Sequence, residues 1–314
     1  MRNILFATVV ICVLATSLTF SATEGLSDTQ EKLYNAIVKG EIETVRDMLE
    51  KQPELANTVY GNAGPKSFQR SALSEALDRG QPEIAKLLLA KGADVKTYSG
   101  NTPLQTAVYH NYIDLIPLLI ERGENSTLAI RLAQFAEKDH GGDAAKIMKI
   151  LIDHGANVNY RDEANSTPLH EIAYQGSVKV AEILVSHGAD VNARNNSGQT
   201  PLYLAAKWCN ARMVELLLKH HADVNAIDKS KRIPLEYLMI ERTDSRGIPA
   251  KPEFYETVKI LIVEGSHFTA ADLVHAGDLE RLKKLLQEDP NQIHNEDYWR
   301  DPLLFCAIRE GHTK

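Results

Sequence analysis

Apolar side chains in this chain fall into short helical stripes that come in pairs. Between Thr200 and His221, Leu202, Ala205 and Ala206 make one stripe, and Met213, Val214, Leu216, Leu217 and Leu218 make a second. Thr200-Pro201 opens the first, where a threonine hydroxyl can accept from free N–H groups and proline is tolerated in the first turn. The second stripe is too broad for a helix with one solvated side. The pattern predicts two short helices that neighbours must bury, and a unit of that kind stacks on further copies of itself.

The copies are present. "GANVN" at Gly155, "GADVN" at Gly188 and "HADVN" at His221 are spaced by 33 residues, with "GADVK" at Gly92 upstream. "TPLH" at Thr167, "TPLY" at Thr200 and "IPLE" at Ile233 keep the same spacing of 33, with "TPLQ" at Thr102 upstream. Two motifs phased at one period mark a repeat architecture. The glycine slot after each second helix asks for a left-handed residue, which glycine adopts without a β-carbon penalty. His221 fills it in one repeat, and Cys209 fills the matching slot after the first helix, so both are expected at positive φ.

These motifs resemble the ankyrin repeat, whose pattern combines Thr-Pro-Leu-His, a Gly-His link, an apolar helix and Gly-Ala-Asp-Val-Asn. The resemblance runs from about Thr29 to the C-terminus. It implies an all-α repeat solenoid of stacked helix-turn-helix units with β-hairpin-like finger loops. The 29–314 domain is read as about eight units plus a truncated last one, since the Gly311-His312 link is not followed by a second helix. One unit, Thr127 to Asn159, lacks a finger: Gly123 precedes Thr127 by 4 residues, whereas Gly188 precedes Thr200 by 12. Another carries an insertion over 242–252, where Pro249 and Pro252 are expected to interrupt helix.

Composition narrows the function. With 314 residues and a formal net charge of -7, the chain can bury a large core but carries no cationic footprint for nucleic acid. Arg2 followed by an apolar run from Ile4 to Leu18 predicts a signal peptide over 1–21 and an exported protein, secreted or periplasmic. The alternative is an uncleaved membrane anchor, because the run extended to Phe20 has 17 residues, near the lower limit of about 20 for a span. Cys209 and Cys306 would remain, too few for a disulfide framework and about 30 Å apart at the spacing of stacked helices.

No catalytic constellation is present: the chain has no His-Glu-x-x-His, Gly-x-Ser-x-Gly or Walker loop, and "GNAGPK" at Gly61 reads as a turn. No cofactor is expected. His154, His187 and His220 recur at the period, but stacked helices sit about 8 to 10 Å apart and zinc needs nitrogens within about 2.1 Å, so no metal is expected. Lys91 and Arg122 share that column, which fits donors beside helix C-termini. Asn125, Asn165 and Asn195 head Asn-x-Ser/Thr sequons, which matter in a eukaryotic secretory pathway.

The slots that resemble the family's variable binding surface are the finger tips and the ends of the first helices. Tyr98, Tyr160, Arg161 and Arg194 occupy the former; Tyr109, Tyr174, Lys207 and Trp208 occupy the latter. Tyr, Trp and Arg dominate interaction hot spots, although tyrosines there can also pack on the adjacent finger. The expected function is a non-catalytic, monomeric scaffold that binds a partner protein through its concave face. The competing readings are the targeting portion of a longer effector or enzyme continuing beyond Lys314, and a membrane-tethered scaffold.

Overall fold

The computed structural model describes residues 27–61, 69–95, 101–130, 143–175, 177–240 and 252–294. The expected signal peptide, Tyr98, most of the 242–252 insertion, Cys306 and the last half-unit lie outside them. The chain divides into two compact bodies, residues 1–142 and 143–314, each described by itself.

The N-terminal body pairs helices Asp28–Lys39 with Ile42–Lys51, Ala72–Asp78 with Pro82–Ala90, and Pro103–Tyr109 with Ile116–Glu121. The first of these starts at a Ser27 cap, slightly before the Thr29 boundary read from the sequence. Val59–Tyr60 and Arg70–Ser71 form an antiparallel ladder with Val59 opposite Ser71 and Tyr60 opposite Arg70. The helix Ser126–Ala129 is capped by Asn125, two residues after Gly123, so no finger separates them.

The C-terminal body opens on Ala144–Asp153 and continues with pairs Pro168–Gln175 and Val178–Ser186, Pro201–Lys207 and Ala211–Lys219, Pro234–Ile240 and Pro252–Val263, and Ala270–Ala276 and Leu279–Glu288. Pro252, the last residue of the expected insertion, starts a helix, as the first helical turn has no use for its missing N–H. First helices stack on first helices and second on second. That arrangement buries Leu202, Ala205, Ala206, Met213, Val214 and Leu217 fully.

The Thr-Pro start works as the residue types require. Thr200 is extended, and its hydroxyl accepts from the Tyr203 N–H at 3.3 Å. Thr102 closes a capping box with Gln105. In the copy that starts at Thr167 the role of Gln105 falls to His170, whose ring is buried. The Thr167 N–H donates to His170 Nδ1 at 3.1 Å, so the ring proton sits on Nε2 and is donated to the Gln199 carbonyl at 3.0 Å. Burial holds the His170 pKa below its ordinary value of 6.5.

A proton binds this histidine more readily in the unfolded chain, so its contribution to stability is complete above pH 6.5 and is lost as pH falls toward its folded pKa. His170→Gln should keep the cap, as Gln105 does, and remove the titration. The expected outcome is a denaturant midpoint that drops less between pH 7 and pH 5 in the variant than in the parent. Equal drops would place the acid sensitivity elsewhere.

The glycine slots behave as anticipated. His221 has φ 65° and Cys209 has φ 55°, alongside Gly155, Gly188 and Gly265, all at positive φ. A β-carbon on Gly188 would meet nothing within 4 Å, so the cost of His221 is conformational rather than steric.

Successive repeats are joined by an asparagine clip. Asn192 Nδ2 donates to the His221 carbonyl at 3.1 Å while its Oδ1 accepts from the Asp223 N–H at 2.8 Å. Asn159 does the same to Gly188 and Asp190, Asn225 to Gly265 and His267, and, in the N-terminal body, Asn57 to Gly92 and Asp94. The fingers are turns held by carboxylate or amide side chains. Asn195 Oδ1 accepts from the N–H groups of Ser197 and Gln199, and Asp228 Oδ1 from those of Ser230 and Arg232. Adjacent fingers bond through Asn196 N–H to the Ala164 carbonyl and Lys229 N–H to the Ser197 carbonyl, both at 2.9 Å.

Candidate functional site

Tyr174 lies near the end of helix Pro168–Gln175, and Trp208 follows helix Pro201–Lys207 as its C-terminal cap residue. Stacking of the two helices brings the rings edge to face, with centroids 4.9 Å apart and planes at 87°. Both stay in contact with solvent, at 43% and 48% exposure, so this is an aromatic pair held on the surface rather than a core contact.

Lys207, one residue before Trp208, turns toward the next repeat. Its Nζ lies 5.0 Å from the centroid of the Tyr237 ring, and the Arg232 guanidinium lies 5.0 Å from the same centroid. Tyr237 is buried and also meets Tyr203 at 5.1 Å. The Tyr203 hydroxyl donates to Asp228 Oδ2 at 2.8 Å. Burial, then the Asp228 bond, pushes the phenol pKa of Tyr203 up. Tyr237 was not singled out from sequence. Its signal is positional: it stands in the slot occupied by Leu204 and Glu171 in the two preceding copies, each 33 residues back.

The finger arginines make bonds that their residue type did not announce. Arg161 Nη1 donates to the carbonyls of Asn165, at 3.2 Å, and of Arg194, at 3.0 Å. Arg194 repeats the pattern one period on, with the carbonyls of Gly198 and Ile227 as acceptors. Both guanidiniums therefore staple a finger to its successor. Tyr160 is half-buried beside Arg161. Tyr109 belongs to the N-terminal body, edge-on to His110 at 5.1 Å, with His110 stacked on Tyr112 at 5.6 Å. Of the seven candidates among the described residues, Tyr174 and Trp208 come together at the ends of two adjacent first helices, and Lys207 turns from there to the next repeat.

Beside this aromatic pair runs an open depression of about 220 Å³, lined by Ser166, His170, Glu171, Tyr174 and Leu204. His154 and His187 each direct Nδ1 at the carbonyl four residues back, at 2.7 and 2.8 Å, and His220 ends its helix in the same place. Among the described residues no group of three His, Cys, Asp or Glu side chains is placed to hold a metal ion. No helix among them is long and apolar enough to cross a membrane.

A family model for ankyrin repeats in three copies matches residues 33–129 and 133–228, more than half of the chain. Among similar proteins, an ankyrin repeat protein of fowlpox virus is 34% identical over 156 residues, 49% of this chain and 20% of that protein. The target of rapamycin complex 2 subunit AVO2 of Saccharomyces cerevisiae is 27% identical over 165 residues, 49% of this chain and 36% of the subunit. The chain thus spans about a fifth to a third of the length of these two relatives. The human ASB11 ankyrin repeat domain has the same fold, with a TM-score of 0.57 at 21% identity over 76% of this chain and 99% of that domain. The ankyrin repeat domain of Bcl-3 gives 0.52 at 21% identity, covering 65% of this chain and 92% of that one.

Proposed function

The chain belongs to the ankyrin-repeat family, and on that premise we propose that it is an exported, non-catalytic scaffold that binds a partner protein through the face carrying Tyr174 and Trp208. Ankyrin repeats generally mediate protein–protein interaction, so the question is which surface is used. The observation that carries the answer is the aromatic pair itself. Two large rings from consecutive repeats are held against each other while about half of each stays in water. Rigid aromatics exposed side by side are the residue types that anchor interfaces, and they lose little side-chain freedom on binding. The finger arginines each hold carbonyls of two successive fingers through Nη1. Support for export is the Arg2 and Ile4–Leu18 leader pattern.

The test is capture of partners by the tagged chain from its native compartment, with the intact mass of the exported chain fixing whether it begins near Ala22 or at Met1. Tyr174→Ala with Trp208→Ala should abolish capture while leaving the far-UV spectrum and melting temperature nearly unchanged, because truncating one hot-spot anchor costs about 2 kcal/mol or more in binding. Undiminished capture by a variant that melts normally would reject this face.

A further inference from the structure

We infer that the surface running from the aromatic pair to the finger over 228–232 receives an acidic segment of the partner protein, with an apolar residue on Tyr174 and Trp208 and aspartate or glutamate against the lysines of that finger. This rests on the reading of that face as the binding surface and adds the chemistry of what lies on it. Three successive fingers differ in charge at matching positions, one period apart. The first carries Glu163, Asn165 and Ser166, the second Asn196, Gly198 and Gln199, and the third Lys229, Lys231 and Arg232. The third finger also holds a carboxylate, Asp228, but it is buried, with Oδ1 accepting from the N–H groups of Ser230 and Arg232 and Oδ2 from the Tyr203 hydroxyl. Arg232 lies 3.5 Å from it. Lys229 and Lys231 are exposed and make no ion pair with any described residue, so their ammonium groups are open to a ligand.

The aromatic pair and this finger are joined through one ring. Lys207, next to Trp208 in the chain, and Arg232 each lie 5.0 Å from the centroid of Tyr237, so the two cations are separated by no more than twice that distance. Stacked helices are spaced about 8 to 10 Å apart, and an extended chain covers about 3.3 Å per residue. An acidic residue about three positions from the apolar anchor therefore reaches the finger. At physiological ionic strength charges more than about 8 Å away are largely screened, so a seated segment feels these local cations more than the net charge of -7 carried by the whole chain. Glu163, two periods back, gives the segment a direction: its acidic end lies toward Lys229 and Lys231, away from that carboxylate.

The experiment titrates the full chain against rhodamine-labelled Phe-Leu-Ser-Glu-Glu-Asp, its Gln-Gln-Asn and Lys-Lys-Lys counterparts, and a short oligothymidylate, read by fluorescence anisotropy. The acidic peptide should bind saturably and roughly fivefold more tightly than the neutral one, a modest factor as befits exposed ion pairs, and raised salt should weaken the preference. Lys229→Gln with Lys231→Gln should bring the ratio to about one and leave the melt unchanged, because both side chains are exposed. Trp208→Ala should weaken the acidic and neutral peptides alike. Equal binding of those two peptides, tighter binding of the lysine peptide or of the oligonucleotide, an acidic preference that survives the double lysine variant, undiminished binding by Trp208→Ala, or no saturation with any probe overturns the inference. If partner capture depends on Tyr174 and Trp208 but the acidic peptide is not preferred, the inference alone fails; if capture ignores those rings, the binding-face reading fails as well.

Discussion

Leu217→Ala should lower the unfolding free energy by about 2 to 5 kcal/mol, the range for truncating a fully buried leucine without collapse of the cavity. Leu217 has no exposed surface. Its helix, Ala211–Lys219, is packed between Val178–Ser186 and Pro252–Val263 and also against its own partner Pro201–Lys207. Neighbours on three sides hold the cavity open. In a stack whose stability is carried by nearest-neighbour interfaces, the loss should spread to the repeats on either side. Amide hydrogen exchange should therefore quicken in both flanking repeats as well as around residue 217. A loss below about 0.5 kcal/mol, typical of surface sites, would contradict the placement of this helix.

How much of this was legible beforehand depends on where the interaction partner sits. The helix starts were readable because Thr200 and Thr102 cap N–H groups three residues away, within the same short segment, and proline fits the first turn between them. The strained slots at His221 and Cys209 were readable because glycine elsewhere in the column states the backbone requirement. The adjacency of Tyr174 and Trp208 followed from a separation of 34 residues, one more than the period.

The asparagine clips were hidden. Asn192 ends its motif for the sake of a carbonyl and an N–H belonging to residues 221 and 223, and backbone acceptors carry no residue-type signature. The same blindness hid the carbonyl bonds of Arg161 and Arg194. Their acceptors are carbonyls one period away, which any residue could have supplied. Periodicity locates a slot in the stack; it does not say whether a polar side chain there faces solvent or the next repeat's backbone.

A second large effect is expected in the N-terminal body, where Arg70→Ala combined with Arg79→Ala should cost about 3 to 5 kcal/mol, the range for leaving a buried charge without its partner. Glu75 is that charge, with its side chain 4% exposed. Its Oε1 takes Arg79 Nε at 2.7 Å and its Oε2 faces Arg70 Nη1 at 3.5 Å. Arg70 also reaches Asp78 at 2.9 Å, and Arg79 donates to the Tyr34 hydroxyl at 3.4 Å. The bond to Glu75 is the foremost reason that the Arg79 guanidinium is held above its ordinary pKa. Behind the cluster lies Tyr60, buried, its hydroxyl making no hydrogen bond to the carboxylate. Arg79→Ala alone should cost more than Arg70→Ala alone, because it removes the shorter bond. Adding Glu75→Gln to the double variant should restore much of the loss, since a neutral amide carries a far smaller burial penalty than an unpaired carboxylate. Urea unfolding of the parent and the four variants measures this. A double variant with parental stability would show that the carboxylate is solvated, and one that Glu75→Gln fails to rescue would trace the loss to the arginine stems packing on their neighbours.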